Sequence, residues 1–276
     1  MKKYTLLLFL SIFSIAMVAQ KKEKIKGNKN VTTVNQNLDN TITTVEISDN
    51  LKVTLSNSLT NSYTLTTDQN LQDVILFSLH EGVLKIHTTQ TIVSSKKLDI
   101  TLKLNNIIET ILIKDDAELK SDKVFESKNI TINAQNSSQF DMDIKANQTT
   151  ITMLNDAKGK LKLRADKTTI TMADKANLTA DINTNITNAT LSRSAKLKLN
   201  GSADKAVFNT IDSSELDAKQ IKVSSADINT KDKSEIHIDA RKSLSLQAID
   251  KSRVFLYSEP KIDIKKFADK AELLKR

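Results

Sequence analysis

Apolar and polar residues alternate with period two along most of this chain, and from residue 117 onward the alternation restarts about every nineteen residues. Small residues mark each restart, at Ala117, Ser138, Ala157, Ala176, Ala195, Ser214, Ser234, Ser252 and Ala271. Two and four residues later come apolar side chains: Leu119; Phe140 and Met142; Leu178 and Ala180; Leu197 and Leu199; Leu216 and Ala218; Ile236 and Ile238; Val254 and Leu256. Period two with one apolar face predicts strands buried on one side. A second alternating pair follows in most repeats, as in Ile130/Ile132, Ile151/Met153, Ile170/Met172 and Ala189/Leu191, and helical spacing is absent. A short period held over so many copies predicts a stacked solenoid. The expected fold is all-β, a single-stranded parallel β-helix of about 19 residues per rung, right-handed by the default of parallel crossovers.

The turn residues agree with this reading. Two positions before each small residue stand Asp115, Asn136, Asn155, Asp174, Arg193, Asp212, Asp232, Asp250 and Asp269. Asp and Asn tolerate the left-handed conformation and bond their own backbone two residues on, so they form tight corners where glycine is scarce. The chain has only four glycines. The neighbouring lysines Lys175, Lys233, Lys251 and Lys270 are expected to neutralise the stacked acids, which argues against a calcium column.

The ends read differently. Residues 1–19 carry Lys2 and Lys3, an apolar run from Leu6 to Val18, and small residues at Ala16 and Ala19, the order of a secretory signal peptide cleaved after Ala19. Residues 20–30 form a polar, basic, flexible segment ahead of the first pairing. Residues 31–106 hold strands without strict period and read as irregular first rungs plus a cap, with His80-Glu81-Gly82 as a hairpin turn. Residues 107–276 are the regular repeats. They end in a stretch where Lys261, Lys265, Lys266, Lys270, Lys275 and Arg276 are expected to protect the last edge.

Composition narrows the function. Loss of the leader lowers the formal charge from +8 to +6. That excess is spread along the chain and aromatics are 4% of residues, which excludes the concentrated basic and aromatic surface of nucleic-acid binders. There is no cysteine, hence no disulfide, thiolate metal site or lipid-anchored N-terminus. His80, His87 and His237 have no metal-ligand spacing and read as exposed strand residues, with His80 and His87 facing one another across the hairpin. No phosphate loop or nucleophile elbow is present, and no transmembrane segment is expected in the mature chain. The sequence therefore assigns no catalytic, cofactor-binding or metal residue, and no cofactor.

The N-terminal third resembles a known family. Gly27-Asn28 and the runs LDNTITTVEISDNLKVTLSN (38–57), YTLTTDQNLQDVILFSLHEGVLKIHT (63–88) and LDITLKLNNIIETILIKDDAELKSD (98–122) are similar to the auto-transporter adhesin family with a head GIN domain. The resemblance implies an exported β-helical protein of a Bacteroidota-type bacterium with no established activity, and it carries no functional residue over. Where that family favours Gly and Ser at turns, this chain has Asn40, Asp49-Asn50 and Asp115-Asp116. No outer-membrane barrel follows the rod, so a complete auto-transporter is not expected.

What remains for function is surface. Outward positions such as Thr149-Thr150-Thr152 and Thr168-Thr169-Thr171 predict flat ladders of hydroxyls. The expected function is non-enzymatic: adhesin-like or envelope-associated binding of glycans or protein partners, in the periplasm, at the cell surface or after secretion, with a homo-oligomer allowed. A deep groove with convergent acids would instead favour a polysaccharide-cleaving enzyme, and an uncapped last rung a scaffold that self-associates end to end.

Overall fold

The computed structural model describes residues 22–38, 41–105 and 107–276; the signal peptide read at residues 1–19 lies outside them. The repeats stack as parallel coils. The long strands Gln139–Met153, Lys158–Met172, Asn177–Leu191 and Lys196–Thr210 pair at a constant offset of nineteen, Gln139 with Lys158, Lys158 with Asn177 and Asn177 with Lys196. The strands Glu215–Thr230 and Glu235–Ala248 absorb one extra and then one missing residue through register shifts after Lys198, Ala218 and Val223. The spacing of the small residues had the same irregularity, twenty and then eighteen on either side of Ser234.

Each coil turns twice. One corner is the Asp/Asn position, where all nine residues from Asp115 to Asp269 have φ between +58° and +64°. The small residue two places on is buried in the first eight coils, from Ala117 to Ser252, and its amide closes the turn, as in Ala195 N to Ser192 O at 3.3 Å. The corner side chains do not bond their own backbone two residues on, as the sequence reading held. Seven of the nine reach the corner amide of the preceding coil instead, as in Arg193 N donating to Asp212 Oδ2 at 3.0 Å, Asn155 N to Asp174 Oδ2 at 3.1 Å and Asp250 N to Asp269 Oδ2 at 3.4 Å, while Asn136 and Arg193 donate from their side chains to Asp115 and Asp174. The left-handed residue turns its N–H away from the strand ladder, and an acceptor one coil on satisfies it. Nor do the lysines neutralise this column. Among the described residues no ion pair joins Lys175, Lys233, Lys251 or Lys270 to a corner acid, whereas Arg193, the one basic corner residue, pairs with Asp174.

Asp212→Ala should therefore cost about 1–3 kcal/mol, from left-handed strain plus a lost hydrogen bond. Asp212→Asn should cost far less, and thermal melting of the two variants separates backbone tolerance and acceptor from charge.

The second turn is a bend at Asn147–Gln148, Asp166–Lys167 and Asn185–Ile186, where two successive residues are exposed. Two outward residues in a row reverse the parity of the following strand. Thr149, Thr168 and Thr187 consequently stack inside the rod, fully buried and without hydrogen-bond partners for their hydroxyls. This corrects the placement of Thr149 and Thr168 on the outer face; Thr150, Thr152, Thr169 and Thr171 do point outward. It also corrects one pairing of columns, because Ile130 stacks on Thr149, and it is Ile132 and Ala134 that stack on Ile151 and Met153.

Large and small side chains alternate between coils in the core. Gly159 lies between Phe140 and Leu178, where a Cβ would stand 2.4 Å from Phe140 Cζ, and Ala189 lies under Phe208. Such complementary filling is what native packing density requires.

The N-terminal third departs from a purely parallel helix. Thr44–Ile47 and Lys52–Asn57 belong to the parallel stack, but Ser62–Asp68 runs antiparallel to both Val31–Asn37 and Leu98–Leu104. Ile75–His80 and Val83–Thr88 form the expected hairpin, with Glu81 and Gly82 both at positive φ. His80 sits opposite Val83 and His87 opposite Leu76, so the two histidines do not face each other. Pairing begins before Val31, at Lys24–Lys26, which runs beside Thr91–Ser94. Asp68 ties this region together: with no exposed surface, it accepts the amides of Lys29, Lys96 and Lys97. A Cβ on Gly27 would overlap its carboxylate.

Candidate ligand-binding surface

The regular coils form a shallow groove along the second bend. Its floor is the column Ser127, Ala146, Ala165 and Thr184, and short side chains there leave a trough of about 650 Å³ over four coils. One wall is the outward column Glu126, Lys145, Arg164 and Asn183, in strict register. The other is Lys128, Asn147, Asp166 and Asn185. Lys145 Nζ lies 3.5 Å from Glu126 Oε1, Arg164 Nη2 3.3 Å from Asp143 Oδ1, and Asn185 Nδ2 3.4 Å from Asp166 Oδ1. The floor hydroxyls are spent on the backbone, Ser127 Oγ on Ile108 O at 2.8 Å and Thr184 Oγ1 on Asp166 O at 3.1 Å. The walls therefore offer carboxylates, amides and cations at one-coil steps of about 4.8 Å.

Sequence reasoning missed this groove because its walls are built jointly by residues of four successive coils. The signal was present: a small residue nineteen apart in front of each doubly exposed bend.

A second cluster lies near the C-terminal end, where His237 is not a bare exposed residue. Its ring stacks on Phe255 at 4.5 Å, Nδ1 lies 3.0 Å from the Tyr257 hydroxyl, and Nε2 lies 2.7 Å from Glu235 Oε1. The register brings these together, pairing Glu235 with Arg253 and His237 with Phe255. Among the described residues no group of three His, Cys, Asp or Glu side chains is placed to hold a metal ion.

Electrostatics at the N-terminal end are set by two acids. Burial raises the Asp68 carboxyl, and the amides of Lys96, Lys29 and Lys97 more than offset it, leaving the group below the usual 3.8. Asp49 is likewise raised by burial and lowered further by Lys22 and by the Thr88 amide, again to a net depression. A depressed folded value means stability that is complete above the unfolded value and lost as pH falls through the folded one. The melting temperature is thus expected to be flat from about pH 8 to pH 5 and to fall below about pH 4. Asp68→Asn should lower the plateau and weaken that acid limb, as a pH series of melting curves would read.

Fold and surface together define a β-solenoid with polar outer faces, and among the described residues no helix is long and apolar enough to cross a membrane. The family model described as "Putative auto-transporter adhesin, head GIN domain" matches residues 41–165 and 155–260, and the chain belongs to that family. No curated protein matches it. Among solved structures, a putative adhesin from Parabacteroides merdae is 14% identical, with 92% of this chain and 99% of that one covered at a TM-score of 0.69. A putative adhesin from Parabacteroides distasonis is 12% identical over 92% and 100%, at 0.68. A protein from the same organism described as a putative lipid binding protein is 17% identical over 92% and 97%, at 0.65. At these identities the likeness establishes the shared fold.

Proposed function

We propose that this chain is an exported, non-enzymatic, adhesin-like protein that holds an extended glycan along the bend groove. The observation that carries the reading is the groove's lining, in which Lys145 and Arg164 donate, Glu126 and Asp166 accept, and Asn147, Asn183 and Asn185 do both, at one-coil spacing over a small-residue floor. Sugar hydroxyls are donors and acceptors at once, so a wall of mixed donors and acceptors suits a polysaccharide better than an anionic or apolar ligand. A flat succession of weak contacts gains strength by repetition rather than from one deep site. Family membership supports the adhesin-like part, and the leader-like residues 1–19 support export.

A glycan array probed with the purified protein tests the reading, followed by Arg164→Ala and Asn185→Ala. Both residues are exposed and their ion-pair and amide contacts add little stability, so melting should move by no more than about 2 °C. Each should weaken binding of the recognised glycan about tenfold, the effect of one or two lost hydrogen bonds. Lys196→Ala, outside the groove, should leave it unchanged. Undiminished binding by both groove variants would sink the proposal.

A further inference from the structure

The last coil is open. Among the described residues Lys261–Phe267 pairs only with Glu235–Ala248, and Glu272–Lys275 only with Arg253–Leu256, so each leaves one edge without a strand. In the coil before, the stacked positions Leu244, Leu246 and Ala248 are fully buried. Their successors Ile262, Ile264 and Phe267 are 40%, 53% and 43% exposed. The lysines expected to guard this edge are partly engaged: Lys265 pairs with Asp263 at 2.6 Å, and Lys275 pairs with Glu259. The core is thus cut across, with unpaired backbone on both sides of the cut.

We infer that this end receives a second copy of the chain, the two rods meeting end to end about a two-fold axis normal to both sheets. Rotation about such an axis reverses strand direction and keeps inward residues inward. Each terminal strand then adds antiparallel to its own copy. With the axis at Ile264, that residue meets itself across the interface. Asp263 then faces Lys265 of the second copy, and Lys265 faces the second copy's Asp263. The register shift that sets Lys265 and Lys266 both outward places them together opposite Asp263 of the second copy, and Ile262 then faces Phe267, both inward, so no like charges come opposite one another within this strand. The same axis serves the other sheet: Ile264 lies five residues before the Asp269 corner and Leu273, inward and stacked on Val254, four after it.

The opposite end of the rod is a poorer partner. Its edge strands, Val31–Asn37 and Ile75–His80, contain no acid and no lysine or arginine to meet Asp263 and Lys265. A two-fold contact also uses up both open ends and stops at the dimer, whereas head-to-tail stacking would continue into filaments. The contact is one coil wide, below the size of permanent interfaces, so the dimer should dissociate at about micromolar concentration.

Sedimentation velocity of the purified protein across the micromolar range reads the outcome. The parent should form a reversible dimer. Asp263→Lys and Lys265→Asp each turn two attractive pairs into two repulsive ones and should weaken it about tenfold or more. Mixing the two variants should restore association as a heterodimer, because each lysine then meets an acid. The double variant, carrying both exchanges in one chain, should dimerise as the parent does. All these side chains are exposed, so circular dichroism should show unchanged folds. A parent that stays monomeric, one that grows into longer assemblies, or single variants that fail to associate on mixing would each overturn the inference. This result is independent of glycan binding, whose groove lies several coils away.

Discussion

Replacing Leu197 by Asp should unfold the centre of the rod, while replacing Lys198 by Ser should leave it standing. Leu197 is 1% exposed and stacks between Leu178 and Leu216. A carboxylate there has no partner, and an unpaired buried charge costs more than about 3 kcal/mol even after protonation and local relaxation. Neighbouring coils cannot absorb it by sliding, because a one-residue slip turns every inward side chain outward. Lys198 is exposed on the opposite face beside Asp217, and such surface changes stay within about 0.5 kcal/mol. The expected readout is loss of the cooperative melting transition, or its displacement by more than about 10 °C, for the first variant only.

Deleting residues 158–176 should remove one whole coil and preserve every column, joining Ala157 to Asn177 in phase. The structure adds a condition. Phe140 extends into the space that Gly159 leaves, and a Cβ there would also lie 2.7 Å from Leu178 Cδ1. Once the coil is gone, Phe140 meets Leu178 directly, an overpacking that costs about 1–3 kcal/mol. Combining the deletion with Phe140→Leu should relieve that cost. Deleting residues 158–166 has no such remedy. It joins Ala157 to Lys167, so the first strand of the coil and its bend are lost, the Asp174 corner follows Asn155 after ten residues instead of nineteen, and the half coil that remains cannot close between its neighbours.

The coil length, the corner column and the inward side of the first strand in each coil were legible in the sequence because each is written in residue types that recur: a small residue under the corner, Asp or Asn at the left-handed position, and alternating apolar residues after it. The second strand was less legible. Its parity depends on a bend of two exposed residues with no fixed identity, Asn147–Gln148 in one coil and Asn185–Ile186 in another, and a buried threonine such as Thr168 looks no different in sequence from an exposed one such as Thr169. The partners of the corner acids were hidden for a similar reason: the acceptor for Arg193 N is Asp212, nineteen residues away, and local turn chemistry offers a nearer candidate. The antiparallel strand Ser62–Asp68 was unreadable because pairing direction leaves no trace in a period-two pattern. The groove was hidden because its walls come from four coils at once, and its floor from residues as ordinary as Ala146 and Ala165.

Nineteen residues make one coil, and each coil touches only its neighbours, a rule on which every column described above depends. Thermal unfolding of the two deletions tests it most directly. The chain lacking residues 158–176 and carrying Phe140→Leu should melt cooperatively within a few degrees of the parent, with its β-sheet circular dichroism intact. The chain lacking residues 158–166, although it loses fewer residues, should show no cooperative transition. Equal melting of the two, or greater damage from the whole-coil deletion, would contradict the account.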